Sequence, residues 1–248
     1  MSMRFLTGLA GLIAVAGLVM GQAKVSKKEA DAYNAILSAT TPDAQIEAAD
    51  KFVTSFADSQ LKSTVLYLAA HAAETKGDVT KALVYAQSAI DADPKNYQAM
   101  ILVAGELARG TRENDLDKEE KLARAEKLAT DAIATVKSAP KPNAQLTDDQ
   151  WNQYKQDFAA QAHEDLAMSA AVRKKYDVAI AEFKLALDGP MPPASTFVRL
   201  ATVYDQSNKP DDSLAVLNKV LAMPNLDPAV KRYADREKAV AEKLKAGK

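Results

Sequence analysis

Residues 63–96 decide the fold, and they read STVLYLAAHAAETKGDVTKALVYAQSAIDADPKN. The stretch predicts two helices that are separated at Gly77-Asp78 and followed by Asp93-Pro94. Glycine permits the backbone conformation that ends a helix, aspartate supplies an oxygen that caps the next one, and proline is favoured at a first helical position. Each helix carries one apolar stripe that a single hairpin cannot bury, so the hairpin needs neighbours of its own kind.

A small residue recurs where two such helices would cross. Its copies lie 34 residues apart in two pairs, with a fifth copy displaced by inserted residues: Ala48 and Ala82, Ala179 and Ser213, and Ala125. Four residues after each copy comes a packing residue: Phe52, Ala86, Phe183, Leu217 and Ala129. A bulky side chain at such a crossing would overpack it. The spacing therefore predicts a repeated helical hairpin.

The unit resembles the tetratricopeptide repeat, whose pattern of about 34 residues is W-x2-L-G-x2-Y, A-x3-F and P. Three units carry matching residues: Leu66, Ala69, Ala70, Ala73, Ala82, Ala86, Ala89 and Pro94; His163, Leu166, Ala167, Ala170, Tyr176, Ala179, Phe183 and Ala186; and Phe197, Leu200, Ala201, Tyr204, Ser213, Leu217 and Val220. The tryptophan is missing, as is the glycine of most first helices. The resemblance covers about residues 26–224 and implies an all-α, right-handed α-solenoid of helical hairpins.

This pattern predicts one solenoid domain at 24–248, after a signal peptide at 1–23. The repeats are expected at about 29–60, 63–96, 97–139, 147–193 and 194–226, with a C-terminal capping helix at 228–246. Two long helices flank the proline-containing linker at 138–142. They predict either a hairpin that projects from the solenoid or an insertion without a role of its own.

Composition argues against several functions. The 248 residues include 32 Lys and Arg and 33 Asp and Glu, and no basic stripe of the kind that nucleic-acid binding requires. There is no cysteine, so disulfides, thiolate chemistry and lipid attachment at a signal-cleavage site are excluded. No phosphate-binding loop, nucleophile elbow or zinc-protease helix occurs, and we expect no cofactor and no catalysis. The metal candidates, His71 with Glu74 and His163 with its acidic neighbours, are interpreted as ordinary helix residues.

The N-terminus has the organisation of a bacterial signal peptide. Arg4 precedes the apolar run Leu6–Val19, and small residues at Gly21 and Ala23 predict cleavage after Ala23. The alternative is an uncleaved membrane anchor, although the run is shorter than the roughly 20 residues that span a bilayer. The sequence thus predicts an exported bacterial member of the family, periplasmic or secreted, which meets the membrane only through this segment before cleavage.

In stacked repeats the first helices line the concave side, where partners bind. Eight side chains on these helices are predicted to line that face: Tyr33, Leu37, Tyr67, His71, Glu74, Gln98, Ile101 and Met168. Tyrosine is a good anchor because it buries a ring and keeps a hydrogen-bonding group. The alternative is that Tyr67 and Ile101 pack only against a neighbouring helix.

The function predicted from these features is a non-enzymatic protein–protein interaction scaffold of the bacterial cell envelope. It would hold a peptide or a partner protein, still to be identified, on the concave face. Two alternatives stay open: a structural or homo-oligomerising module that assembles through the hairpin of Trp151, and a metal-dependent enzyme that uses His71 and Glu74 or His163.

Overall fold

The computed structural model describes residues 25–143, 145–189 and 192–247, and the predicted signal peptide at 1–23 lies outside them. This part of the chain is all-α, without a strand, and its helices are α1 Lys27–Ser38, α2 Pro42–Ser55, α3 Lys62–Thr75, α4 Val79–Ala92, α5 Tyr97–Gly110, α6 Lys118–Ser138, α7 Asp148–Val172, α8 Tyr176–Ala186, α9 Ala194–Gln206, α10 Pro210–Leu221 and α11 Pro228–Ala246. The predicted all-α series of helical hairpins is confirmed. Within the described ranges, no helix is both long and apolar enough to cross a membrane.

Two compact units divide the chain. Among the described residues, unit 1 comprises everything up to Glu106 together with Ala134–Asn152, and unit 2 comprises Leu107–Ile133 and everything from Gln153 onward. The single domain over 24–248 and its repeat boundaries stay predictions.

The end of the long-helix hairpin contains a buried tryptophan. Residues 134–152 are part of compact unit 1. Trp151 is 7% exposed, and its indole Nε1 donates to the Ala139 carbonyl at 3.2 Å. The ring is therefore used inside the unit, so an assembly surface built on an exposed Trp151 is not present.

Helix starts follow their local signals. Ser26 and Glu29 form a capping box: Glu29 N donates to Ser26 Oγ at 3.2 Å, and Ser26 N donates to Glu29 Oε2 at 2.9 Å. Thr147 and Gln150 form a second capping box: Thr147 N donates to Gln150 Oε1 at 2.9 Å, and Gln150 N donates to Thr147 Oγ1 at 3.1 Å. Both boxes satisfy amide groups that a helix leaves unpaired at its beginning.

The turn within each hairpin has the same backbone geometry in three repeats. Gly77, Lys174 and Asn208 have φ angles of 78°, 60° and 59°. The residue after each donates its amide to a carbonyl five positions earlier, which closes the end of the first helix. As predicted, Asp78 caps the following helix by accepting from Lys81 N at 3.1 Å. The hairpin geometry is thus encoded locally.

The hydrophobic cores lie between successive hairpins within each unit. In unit 1 a core cluster joins α1, α2 and α3: Tyr33, Ile36, Ala49, Phe52, Val65, Leu68 and Ala69. In unit 2 one cluster joins α7, α8 and α9 around Phe183, and another joins α9, α10 and α11 around Leu217. The cluster of unit 1 and the cluster around Phe183 each contain residues from two hairpins, and the cluster around Leu217 joins one hairpin to the last helix, α11. These hairpins therefore bury their apolar stripes against a neighbour.

Polar contacts also connect neighbouring hairpins. In unit 1, Tyr85 Oη donates to Asp50 Oδ1 at 2.8 Å. In unit 2, Lys209 Nζ donates to Asp177 Oδ1 at 2.9 Å. The partners lie 35 and 32 residues apart, which is close to one repeat length. Such contacts fix the register of one hairpin on the next.

Candidate functional site

The surface of interest in unit 1 is formed by α3 and the first part of α5. Tyr67 on α3 and Ile101 on α5 lie 34 residues apart, at the same position of successive repeats. Their exposed fractions are 6% and 8%, so most of each side chain is packed against neighbouring residues. Their burial therefore favours the alternative interpretation, in which Tyr67 and Ile101 pack against a neighbouring helix. Both residues can only form the floor of a binding surface.

A hydrogen-bond network holds α3, α4 and the start of α5 together beside this floor. Asn96 Nδ2 donates to Ser63 Oγ at 2.8 Å, and Ser63 Oγ donates to the Ala89 carbonyl at 2.7 Å. Asn96 Oδ1 also accepts from Ala99 N at 2.9 Å and so caps α5. The two first helices are thus held in a fixed relation.

Three predicted residues are half-buried: His71, Glu74 and Gln98. The rings of Tyr67 and His71 have centroids 6.4 Å apart and planes inclined by 41°. Burial lowers the pKa of His71, so the imidazole is uncharged at neutral pH. These side chains surround the floor with polar groups that keep part of their surface accessible.

Burial keeps the phenols of this surface protonated. It raises the pKa of Tyr67, with smaller contributions from the charge of Glu74 and from Tyr97. It likewise raises the pKa of Tyr97, the first residue of α5, to about 12. Tyr97 was missed as a site residue because the sequence marked it only as a helix start. The usable signal was its place directly after the capping Asn96, beside the first turn of α3.

The predicted residues of α1 have different surroundings. Tyr33 is 1% exposed and lies in the core cluster of unit 1, and its hydroxyl has no hydrogen-bond partner among the described residues. It therefore serves the core and offers no surface to a partner, contrary to its predicted role. Leu37 packs against the same core and is half-buried.

Met168, the remaining predicted residue, belongs to unit 2. It is half-buried and packs against the core cluster around Phe183. One turn earlier on α7, Glu164 accepts from Thr196 Oγ1 at 2.8 Å and pairs with Arg199. The first-helix side of unit 2 therefore carries a Glu–Arg pair close to Met168.

The second histidine has a structural environment. His163 Nδ1 lies 2.7 Å from Glu182 Oε2 of α8, so the imidazole links the two helices of its hairpin. In the part of the chain that the structure describes, no group of three or more His, Cys, Asp or Glu side chains could hold a metal ion.

Comparisons with known proteins agree with this architecture. Residues 63–96 match the family model described as tetratricopeptide repeat. No curated protein is significantly similar to the chain in sequence. Seventeen chains of solved structures are significantly similar in fold. One is a tetratricopeptide-repeat protein of Thermus thermophilus, with a TM-score of 0.56 at 18% identity, over 84% of this chain and 94% of that one.

Two further structures are more distant. The MamA protein has a TM-score of 0.45 at 17% identity, over 75% of this chain and 84% of that one. Acl4, the assembly chaperone of RpL4, has a TM-score of 0.45 at 14% identity, over 89% of this chain and 98% of its residues 1–338. At these identities the Thermus structure shows a shared fold, and the other two carry no further argument.

Proposed function

Because the chain contains a tetratricopeptide repeat and has the fold of tetratricopeptide-repeat proteins, we propose that it is a non-enzymatic scaffold for protein–protein interaction. Stacked helical repeats offer extended surfaces on which a peptide or a folded partner binds. The fold alone does not select a partner, so the proposal for a binding face must come from the side chains.

The observation that carries the proposal is the polar rim over an apolar floor on α3 and α5. Tyr67 and Ile101 form the floor, and His71, Glu74 and Gln98 keep accessible surface around it. An uncharged imidazole and a carboxamide can both donate and accept hydrogen bonds, which suits the backbone of an extended peptide. We place the binding face on this side, the concave side in stacked repeats of this kind.

Site-directed photo-crosslinking in the cells that make the protein tests this placement. A photoreactive phenylalanine derivative at Gln98 is expected to give a discrete adduct with a partner protein. The matched control is Val84 on α4, which is 61% exposed and lies on a second helix. The same derivative there should give no adduct of that size.

His71→Ala combined with Gln98→Ala should reduce recovery of the crosslinked partner when the derivative is moved to Thr64, a half-buried residue of the same helix as His71. Equal adducts at positions 84 and 98, or unchanged recovery with the double variant, would contradict the first-helix face as the binding surface.

We also propose that the protein acts in the bacterial cell envelope, after export and cleavage behind Ala23. The apolar run 6–19 and the small residues at its end support this location. The protein purified from its own cells is expected to begin at Lys24 and to be released with the periplasmic or secreted fraction. N-terminal sequencing and intact mass measurement decide this, and a full-length chain in the membrane fraction would instead identify an uncleaved anchor.

A further inference from the structure

The last helix carries an exposed apolar stripe. Tyr233, Val240 and Leu244 are 62%, 39% and 36% exposed. At about 100° per residue these positions fall within a narrow sector of α11, beside the seam formed by the buried Ala234 and Ala241. A helix that caps a repeat array is expected to have a polar outer face. The structure shows that the helix shields the last repeat while leaving an apolar surface of its own.

Unpaired positive charges lie along the outer edge of this stripe. Helical geometry places Arg232, Arg236 and Lys243 there, and none of them has an ion-pair partner among the described residues. By contrast, Lys231 on the same helix is paired with Asp235 at 2.8 Å. A surface that covers the stripe must therefore be acidic as well as apolar.

The charge on α11 disfavours its pairing with the same helix of another copy. Pro228–Ala246 contains six basic and three acidic residues, so two copies of the stripe face to face would bring like charges together. A symmetric contact through α11 is thus disfavoured. A contact between α11 of one copy and a different surface of a second copy does not bring these like charges together. Such a contact is heterologous.

The turn between α5 and α6 in unit 2 is acidic and carries an exposed apolar side chain, so it is complementary to the stripe on α11. Leu116 is fully exposed, with a relative exposure of 107%, the highest among the large apolar side chains described. Residues 113–120 contain five acidic side chains and one basic side chain. Glu113 and Asp117 are paired with Lys174 and Lys121, whereas Glu120 has no ion-pair partner in the described part of the chain.

We propose that the chain associates with itself head to tail, with Leu116 of one copy packed on the stripe of Tyr233, Val240 and Leu244 of another. The acidic turn would then lie against Arg232 and Arg236. Only a small apolar surface is covered, so the association is weak and reversible. A heterologous contact of this kind forms open chains unless its rotation closes a ring.

Sedimentation velocity of the purified full chain over a wide range of concentrations tests this. The wild type is expected to show a sedimentation coefficient that rises with concentration, and added salt should reduce the rise. Leu116→Ser and Tyr233→Ser should each weaken association about tenfold or more, since each removes a large apolar side chain from the contact. Val84→Ser, at a residue of similar exposure to Tyr233, is the control and should leave association unchanged.

A charge exchange distinguishes the proposed contact from other modes of association. Arg236→Glu alone and Glu120→Lys alone should each associate more weakly than the wild type. An equimolar mixture of the two variants should associate more strongly than either, because every contact between unlike copies pairs opposite charges. A wild type that stays monomeric, or a mixture no better than its components, overturns the proposal. Tyr233-dependent binding to vesicles of anionic lipid without self-association also overturns it and assigns the stripe to a membrane surface.

Discussion

Phe183→Ala is expected to lower the free energy of unfolding by about 3–5 kcal/mol, the usual range for a buried phenylalanine cut back to alanine. Phe183 on α8 is 1% exposed and lies in a cluster with residues of α7 and α9. Its removal leaves a cavity bordered by two hairpins. Because repeat proteins are stabilised by contacts between nearest neighbours, the loss affects both hairpins. Urea unfolding followed by circular dichroism measures it.

Val178→Ala is the matched control, since Val178 lies on the same helix and is 51% exposed. It should change the free energy of unfolding by no more than about 0.5 kcal/mol. Phe183→Leu should fall between the two, because it keeps most of the buried volume. Losses of similar size for Phe183→Ala and Val178→Ala would mean that the cluster does not carry the stability of this part of unit 2.

Local features of the fold were predictable from the sequence because a few adjacent residues encode them. Gly77 supplies the positive φ of its turn, and Asp78 caps α4 as its side chain predicts. The two long helices predicted on either side of the 138–142 linker are also observed, as α6 with 21 residues and α7 with 25. Capping and turn chemistry act within four residues, so no tertiary information is needed to infer them.

The candidate site was only partly predictable because exposure depends on what covers a helix. Tyr33, Tyr67 and Ile101 all fall on first helices, but Tyr33 is in the core and the other two retain only a few per cent of their surface. A helical wheel gives the direction of a side chain, but it does not show how far neighbouring residues cover that side chain.

One signal for packing between hairpins was present and unused. Opposite charges or donor–acceptor pairs at close to one repeat length become contacts: Glu164 with Arg199, and Thr202 with Glu237 at 3.0 Å, are both 35 residues apart. A search for polar pairs at this spacing would have predicted which helix faces meet. The same search finds no acidic residue at this spacing from Arg232 or Arg236.

Ala82→Leu is expected to destabilise the protein by about 1–3 kcal/mol, although it adds apolar surface. The repeat 63–96 has a seam of small residues: α4 contributes Ala82, Ala86 and Ala89, all 0% exposed, and α3 contributes Ala69, Ala70, Ala72 and Ala73. Ala82 lies near the turn of the hairpin and is fully buried, and at the other end of the hairpin Ser63 Oγ donates to the Ala89 carbonyl at 2.7 Å. The two helices are therefore closely packed, and a branched side chain at Ala82 requires them to move.

If the recurring small residue permits this close approach, enlarging it should destabilise the protein, whereas enlarging an exposed residue of the same helix should not. Val84→Leu enlarges a side chain that is 61% exposed on the same helix and should change the free energy of unfolding by no more than about 0.5 kcal/mol. Thermal and urea unfolding of the two variants provide the comparison. If Ala82→Leu were neutral or stabilising, the seam would have room to spare, and the 34-residue recurrence of a small residue would lose its physical explanation.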